Sequence, residues 1–268
     1  MTRIRLFLCI IAISMPSLAI AQQAMKFEES TAMLAASCGN DASGFPAWLA
    51  SFKQEAASAG ISERTINGAL GTVTYDPRTI SLDRNQKVFK QSFEQFSGRM
   101  VNASRINRAK AMAQRYSAVL SRIEKTYGVQ PPVVLAIWAL ETDFGANIGN
   151  FNTFRSLATL AYDCRRTARF HDELMSALKI VERGDMAPGA MRGAWAGELG
   201  QTQFMASSYL KFAADGDGDG RRDLLRSPPD VLMSTASYLK GYGWQSGAGW
   251  SPGERRSSSR NCIRWITL

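Results

Sequence analysis

Glu141 follows Trp138 by three positions, Ile137 by four and Val134 by seven, so on a helix it shares their apolar face. A carboxylate beside buried aromatics is disfavoured as an anion, and its pKa rises. The negative end of a helix dipole pushes the same way. A carboxyl held protonated near neutrality is suited to act as a general acid on a glycosidic oxygen. Spacing alone favours a solvated glutamate at a helix end over a catalytic one. Asp143 lies two residues further on, which turns it to another side of the helix and rules it out as a partner. His171 is the only histidine, which excludes a two-histidine zinc site and leaves one residue to serve as the base of any Ser-His-Asp triad; between Arg169-Phe170 and Asp172-Glu173 it reads as solvated rather than catalytic.

A second group of side chains has metal-ligand spacing. Asp215-Gly216-Asp217-Gly218-Asp219-Gly220 resembles the start of an EF-hand loop, with oxygen ligands at positions one, three and five and glycine at six. Arg226 stands at the twelfth position, where a bidentate glutamate belongs, so a later Asp230 has to serve, with Asp223 acting through water. The candidate calcium set is Asp215, Asp217, Asp219, Arg221 and Asp230, against the alternative of a plain Asp/Gly turn. Any such ion is structural, and the chemistry at Glu141 requires no cofactor.

The chain begins with Arg3 and Arg5, an apolar run over residues 6–15, and Ala19-Ile20-Ala21, the three-part pattern of a cleaved export signal. Residues 1–21 are therefore expected to be a signal peptide that leads to the periplasm. Cys9 lacks the small residues that precede a lipidated cysteine, and no later run is long enough for a span, so no membrane anchor is expected. Cleavage lowers the formal charge from +9 to about +7. A basic exported protein suits an anionic polymer; no nucleic-acid motif is present. Of the three cysteines that remain, Cys38 and Cys164 are the expected disulfide, because Cys262 sits in an atypical tail; three free thiols is the alternative.

The elements that must position these groups read as helices. Residues 22–40 are a tether. Phe45, Trp48, Leu49, Phe52 and Ala56 recur at helical spacing, Gly60 ends that run, and Ser62 caps the next. Residues 71–85 read as irregular around the Asp76-Pro77 turn signal. Ala109, Met112, Ala113, Tyr116, Leu120, Ile123 and Tyr127 form one stripe of a single long helix, stopped by Gly128. Pro131-Pro132 start a helix that is apolar all round and so expected to be buried on every side. Another helix carries Phe170, Leu174, Ala177, Leu178 and Val181, and the last lies near 230–242. No strand ladder is evident. The fold class is mainly α, with a helical lobe over 41–128 and a core over 129–250.

Several segments occur in a specific order: Glu141-Thr142-Asp143-Phe144-Gly145, the run 156–161, Arg165-Arg166, the run 197–209 and Tyr238 to Trp244. Over about residues 40–250 the chain closely resembles the lytic murein transglycosylase B family. The resemblance implies a lysozyme-like, mainly helical fold and action on peptidoglycan glycan strands by a monomer. Its single catalytic acid matches Glu141, which first protonates the bond between N-acetylmuramic acid and N-acetylglucosamine. Glu141 then takes the proton of the muramic acid 6-hydroxyl as that oxygen attacks C1, leaving a 1,6-anhydro end. The substrate acetamido group stabilises the charge at C1, so no second carboxylate is required, unlike most glycosidases. Substrate contacts carry over to Arg165, Arg166, Gln203 and Tyr238. Arginine suits lactyl or peptide carboxylates, and an amide offers donor and acceptor to sugar groups.

The sequence departs from the family pattern in two places. Ala194 stands where a serine is common, and residues 251–268 do not match the usual continuation, as though the groove were truncated. Two alternatives follow: a goose-type muramidase that releases reducing ends, and a murein-binding protein with impaired turnover.

Overall fold

A computed structural model describes residues 38–86 and 92–247. The expected signal peptide, most of the tether, Cys262 and the atypical tail lie outside the described residues. The N-terminal part comprises α1 (Phe45–Ser58), α2 (Glu63–Leu70), α3 (Pro77–Arg84), α4 (Phe93–Met100), α5 (Ala103–Arg115) and α6 (Ser117–Tyr127). Then follow α7 (Pro131–Thr142), β1 (Phe151–Asn152), α8 (Thr153–Tyr162), α9 (Thr167–Glu182), β2 (Arg192–Gly193), α10 (Ala206–Phe212) and α11 (Pro228–Gly241). The chain is mainly α, as its periodicity predicts. The two short strands pair antiparallel, Phe151 opposite Gly193 and Asn152 opposite Arg192. Among the described residues, no helix is long and apolar enough to cross a membrane.

Capping chemistry sets many of these boundaries. Ser62, Asp76, Ser92, Asn102, Asn152 and Ser227 each accept a backbone N–H from the first turn of the helix that follows. The Asp76 cap turns the segment 71–85, expected to be irregular, into α3, with Pro77 at the first helical position. The single long helix expected through Tyr127 is instead two. Tyr116 ends α5 at φ −107°, ψ 22° and opens α6, whose last turn is closed by the left-handed Gly128.

The helix buried all round is α8, not α7. Every residue of α8 except Arg155 is buried. Phe154, Leu157 and Leu160 meet Phe170, Leu174 and Leu178 of α9 in the core, and Trp48 and Phe52 of α1 join the same cluster. In α7 only Val134, Leu135, Trp138, Ala139 and Thr142 are buried, and Leu140 is 42% exposed. The apolar run of α7 has two environments: the packed stripe and an open face where Glu141 also begins to meet solvent.

Buried polar groups bind the layers together. A disulfide joins Cys38 to Cys164 with Cα atoms 5.1 Å apart, and Gly39 N donates to Tyr162 O at 3.0 Å beside it. His171, expected to be solvated, is 8% exposed, and its Nε2 lies 3.0 Å from a Glu55 carboxylate oxygen on α1. Its ring meets Phe52 edge-on, because the helix turns position 171 inward beside Phe170 and Leu174.

Candidate active site

Glu141 occupies the last turn of α7. Beyond it the backbone reverses through Asp143 (φ 56°), Phe144 (φ 61°) and Gly145 (φ 83°). Asp143 N donates to Ala139 O and Phe144 N to Trp138 O, which satisfies the terminal carbonyls. Left-handed geometry is costly for Phe144, and packing holds it there: its ring meets Trp138 edge-on at 5.4 Å, and Arg108 lies over it at 5.5 Å. The Asp143 carboxylate is bound by Arg105 and Arg108 of α5. Asp143 is thus committed to the helix end and is no partner for Glu141. Gln203, at φ 53°, is the remaining non-glycine residue with positive φ among the described residues, and it too belongs to the site.

The opposite wall is the loop from β2 to α10. Leu199 and Phe204 exchange backbone hydrogen bonds at 2.7 and 2.9 Å, and Gln201 N donates to Leu224 O at 2.9 Å. Gly193 and Gly200 are required for this folding: a Cβ on the first would strike the Glu198 carbonyl, and on the second the Leu224 backbone. The Gln203 amide donates to Gly200 O at 2.9 Å and Ile148 O at 3.3 Å. Glu141, Glu198, Gln203, Phe204, Met205, Ser208 and Tyr238 line a cavity of about 160 Å³. Tyr238, from α11, packs its ring against Phe204 and Tyr242, with centroids 5.3 and 4.6 Å away.

Burial pushes the Glu141 carboxyl up to about 7, and the charge of Glu198 adds to the shift. Burial raises Glu198 as well, opposed by its own and the Ala196 backbone N–H and by the charges of Arg169 and Arg166. Among the described residues, no cation forms an ion pair with either carboxylate. The cavity therefore holds one carboxyl that is protonated near neutrality and a second acidic group. Sequence reasoning missed Glu198. Its signal was faint: an acidic residue two positions before the Gly200-Gln201 turn, with no helical neighbours to flag it.

The sequence of the transglycosylase SLT domain family matches residues 44–261, which is most of the chain. The chain belongs to the transglycosylase SLT family. This SLT domain is 36% identical over 134 residues to membrane-bound lytic murein transglycosylase B of Escherichia coli K12, covering 50% of this chain and 37% of that protein. Its fold is similar to SltB3 from Pseudomonas aeruginosa, solved with NAG-anhNAM-pentapeptide: TM-score 0.73, 39% identity, 77% of this chain and 55% of that one. It is also similar to Escherichia coli SLT35, solved with calcium: TM-score 0.69, 26% identity, 80% of this chain and 73% of that one. The chain thus spans between about a third and just over half of the length of the first two relatives.

The other sequence-predicted residues of the SLT domain fall in two places. Arg165 and Arg166 both bind the buried carboxylate of Asp83 on α3, and they lie outside the cavity lining. Each keeps an exposed portion, 48% and 30% of the side chain. In the Asp/Gly loop, carboxylate oxygens of Asp215, Asp217 and Asp230 lie within 4.8 Å of one another. Asp219 stands outside that group and accepts Arg221 N at 2.8 Å. Asp230 accepts Gly216 N and Asp223 N, both at 2.7 Å, which holds its carboxylate at the loop.

Proposed function

We propose that this chain is a peptidoglycan lytic transglycosylase that breaks the β-1,4 bond between N-acetylmuramic acid and N-acetylglucosamine without water, with Glu141 as its acid and base. The observation that carries this reading is the Glu141 carboxyl, raised to about 7, in a cavity with Gln203 and Tyr238. Protonated Glu141 gives its proton to the glycosidic oxygen as the bond to C1 breaks. The substrate acetamido group shares the positive charge that develops at C1. Glu141, now anionic, accepts the proton of the muramic acid 6-hydroxyl while that oxygen bonds to C1, so the carboxyl is regenerated and the new end is 1,6-anhydro. A relative crystallised with an anhydromuramoyl ligand supports this product class. Gln203 offers a donor and an acceptor to the sugar, Tyr238 a ring to pack on it, and the exposed edges of Arg165 and Arg166 bind substrate carboxylates.

The test is digestion of purified sacculi followed by mass analysis of the muropeptides. Anhydromuramic ends are expected. Reducing ends instead would mean hydrolysis, a second reading that Glu198 favours, because a second carboxylate in the same cavity is suited to activate water. Absence of both would sink the enzymatic reading.

The three converging carboxylates of Asp215, Asp217 and Asp230 fit a hard divalent cation, since no arginine or lysine pairs with them among the described residues. We propose structural calcium there, as one relative was solved with it. Export to the periplasm through the signal at 1–21 is part of the same proposal, with the glycan strands as partner.

A further inference from the structure

The cavity beside Glu141 holds two carboxyl groups, and the reaction proposed above uses one of them. The other, Glu198, is placed there by a backbone with little freedom. It stands between Gly197 (φ 88°) and Gly200 (φ 74°), left-handed positions where a Cβ would strike the Leu157 side chain and the Leu224 backbone. Leu199, the next residue, is tied to Phe204 by two backbone hydrogen bonds at 2.7 and 2.9 Å. The side chain folds back on its own turn, where Glu198 Oε2 accepts Ala196 N at 3.1 Å. The carboxylate is thus held at the cavity wall before any ligand arrives.

Two acids in one cavity do not ionise with equal ease. A bond from a backbone N–H favours the charged form, so Glu198 is the acceptor of the pair while Glu141 keeps the transferable proton. Among the described residues, no arginine, lysine or histidine pairs with Glu198. A carboxylate has about four acceptor sites, and the backbone donors of Ala196 and of Glu198 itself use only part of them. Acceptor capacity is left for an N–H of a ligand.

The proposed substrate has such a donor next to the reacting carbon. It belongs to the acetamido group on C2 of the muramoyl unit, adjacent to C1. Glu141 acts on the oxygen that leaves C1, so a group lining the same cavity of about 160 Å³ is within reach of the acetamido arm. Phe204 and Met205 offer apolar wall to its methyl. A secondary amide is planar and trans, so its N–H and C=O point opposite ways. Binding the N–H at Glu198 leaves the carbonyl oxygen free to face C1.

We infer that Glu198 is a second catalytic residue, which accepts the N–H of the muramoyl acetamido group and so holds that group's carbonyl oxygen at C1. The inference rests on the transglycosylase reading. No proton changes hands at Glu198. The N–H stays on nitrogen, polarised towards the carboxylate, and the carbonyl oxygen shares the charge that builds at C1 as the glycosidic bond breaks.

Steady-state release of anhydro ends from peptide-free glycan strands, at about pH 5, tests this. The Glu141 carboxyl, pushed up to about 7, is protonated there, so changes in its titration drop out. Glu198→Ala and Glu198→Gln should each lower kcat about tenfold or more, the size expected for one charge-assisted hydrogen bond, with KM changed far less. The glutamine variant separates this role from a structural one, and it stays informative where the alanine variant folds poorly. Its single amide oxygen can hold Ala196 N, but its NH₂ then meets the acetamido N–H donor to donor. A residue that merely braces the loop would be replaced by glutamine without loss. Unchanged kcat in a folded glutamine variant at about pH 5, or a loss confined to KM, would overturn the inference. So would loss of reducing ends alone with anhydro ends unchanged, which would assign Glu198 to water. Failure of the transglycosylase reading is seen separately, as absence of anhydro ends from the unaltered chain.

Discussion

The indole N–H of Trp138 donates to the Gln201 side-chain oxygen at 2.8 Å, in a buried position. Trp138 lies three residues before Glu141, and Gln201 three residues after Glu198. This one bond fixes the helix that carries the acid against the loop that carries the second carboxylate. The Gln201 amide continues to Leu225 O at 2.9 Å, and Thr142 donates to the Gln201 carbonyl. Gln201→Leu leaves the Trp138 N–H and the Leu225 carbonyl unpaired, so unfolding stability should drop by about 1–3 kcal/mol and cleavage should fall with it. Denaturant melts and the muropeptide assay on the same preparation check both; unchanged cleavage would mean that the wall is held by other contacts.

Glu141→Gln keeps the shape but removes the transferable proton. Cleavage should fall by roughly 10²–10⁴-fold, the range for acid–base catalysis, with folding and sacculus binding retained. Asp143→Asn should cost far less activity, because Asp143 serves Arg105 and Arg108 at the helix end and asparagine tolerates its left-handed backbone. Similar losses in both variants would remove the distinction between acid and helix terminus.

The pH dependence follows from the raised Glu141 pKa. The acid is protonated below about 7, so the rate of anhydro-end release should decline as pH rises through that value. Glu198 contributes part of the rise, and Glu198→Gln should move the declining limb to lower pH. The folded chain holds a proton that the unfolded chain releases at its ordinary value of 4.5, so this carboxyl's relative stabilisation is lost between 4.5 and about 7. Glu141→Gln should therefore gain stability over the unaltered chain near pH 8 and lose that advantage near pH 4. Melting curves at both pH values provide the check, and equal gains at each would contradict the assignment.

Calcium should raise the melting temperature and a chelator lower it. At a free-ion concentration about one hundredfold above Kd the stabilisation is about 2.7 kcal/mol. Asp217→Asn should abolish the response, because Asp217 is one of the three converging carboxylates. Scanning calorimetry with and without chelator decides the matter, and superimposed curves would leave the loop an ordinary turn.

The sequence by itself determined several of the helices, those that carry Phe45, Glu141, Phe170 and residues 230–241, but not α3 or the break at Tyr116. Apolar stripes at three- and four-residue spacing, capping side chains and Pro131-Pro132 act within one or two turns, so local composition is enough to write them. It also determined that Glu141 would sit among apolar neighbours, because Val134, Ile137 and Trp138 belong to the same helix. Everything that depends on chain segments tens of residues apart was left to the tertiary structure. Glu198 reaches Glu141 only because two glycines let the 193–205 loop fold tightly and Gln201 ties it to Trp138. His171 leaves solvent because Glu55 and Phe52 of α1 cover it. Asp83 takes up Arg165 and Arg166, while Arg78, Arg155 and Arg192 gather from three elements around one cleft. Helical periodicity fixes which way a side chain points from its own axis; which other axis it meets is decided by how the core packs, and that packing made α8, not the more apolar α7, the helix buried on every side.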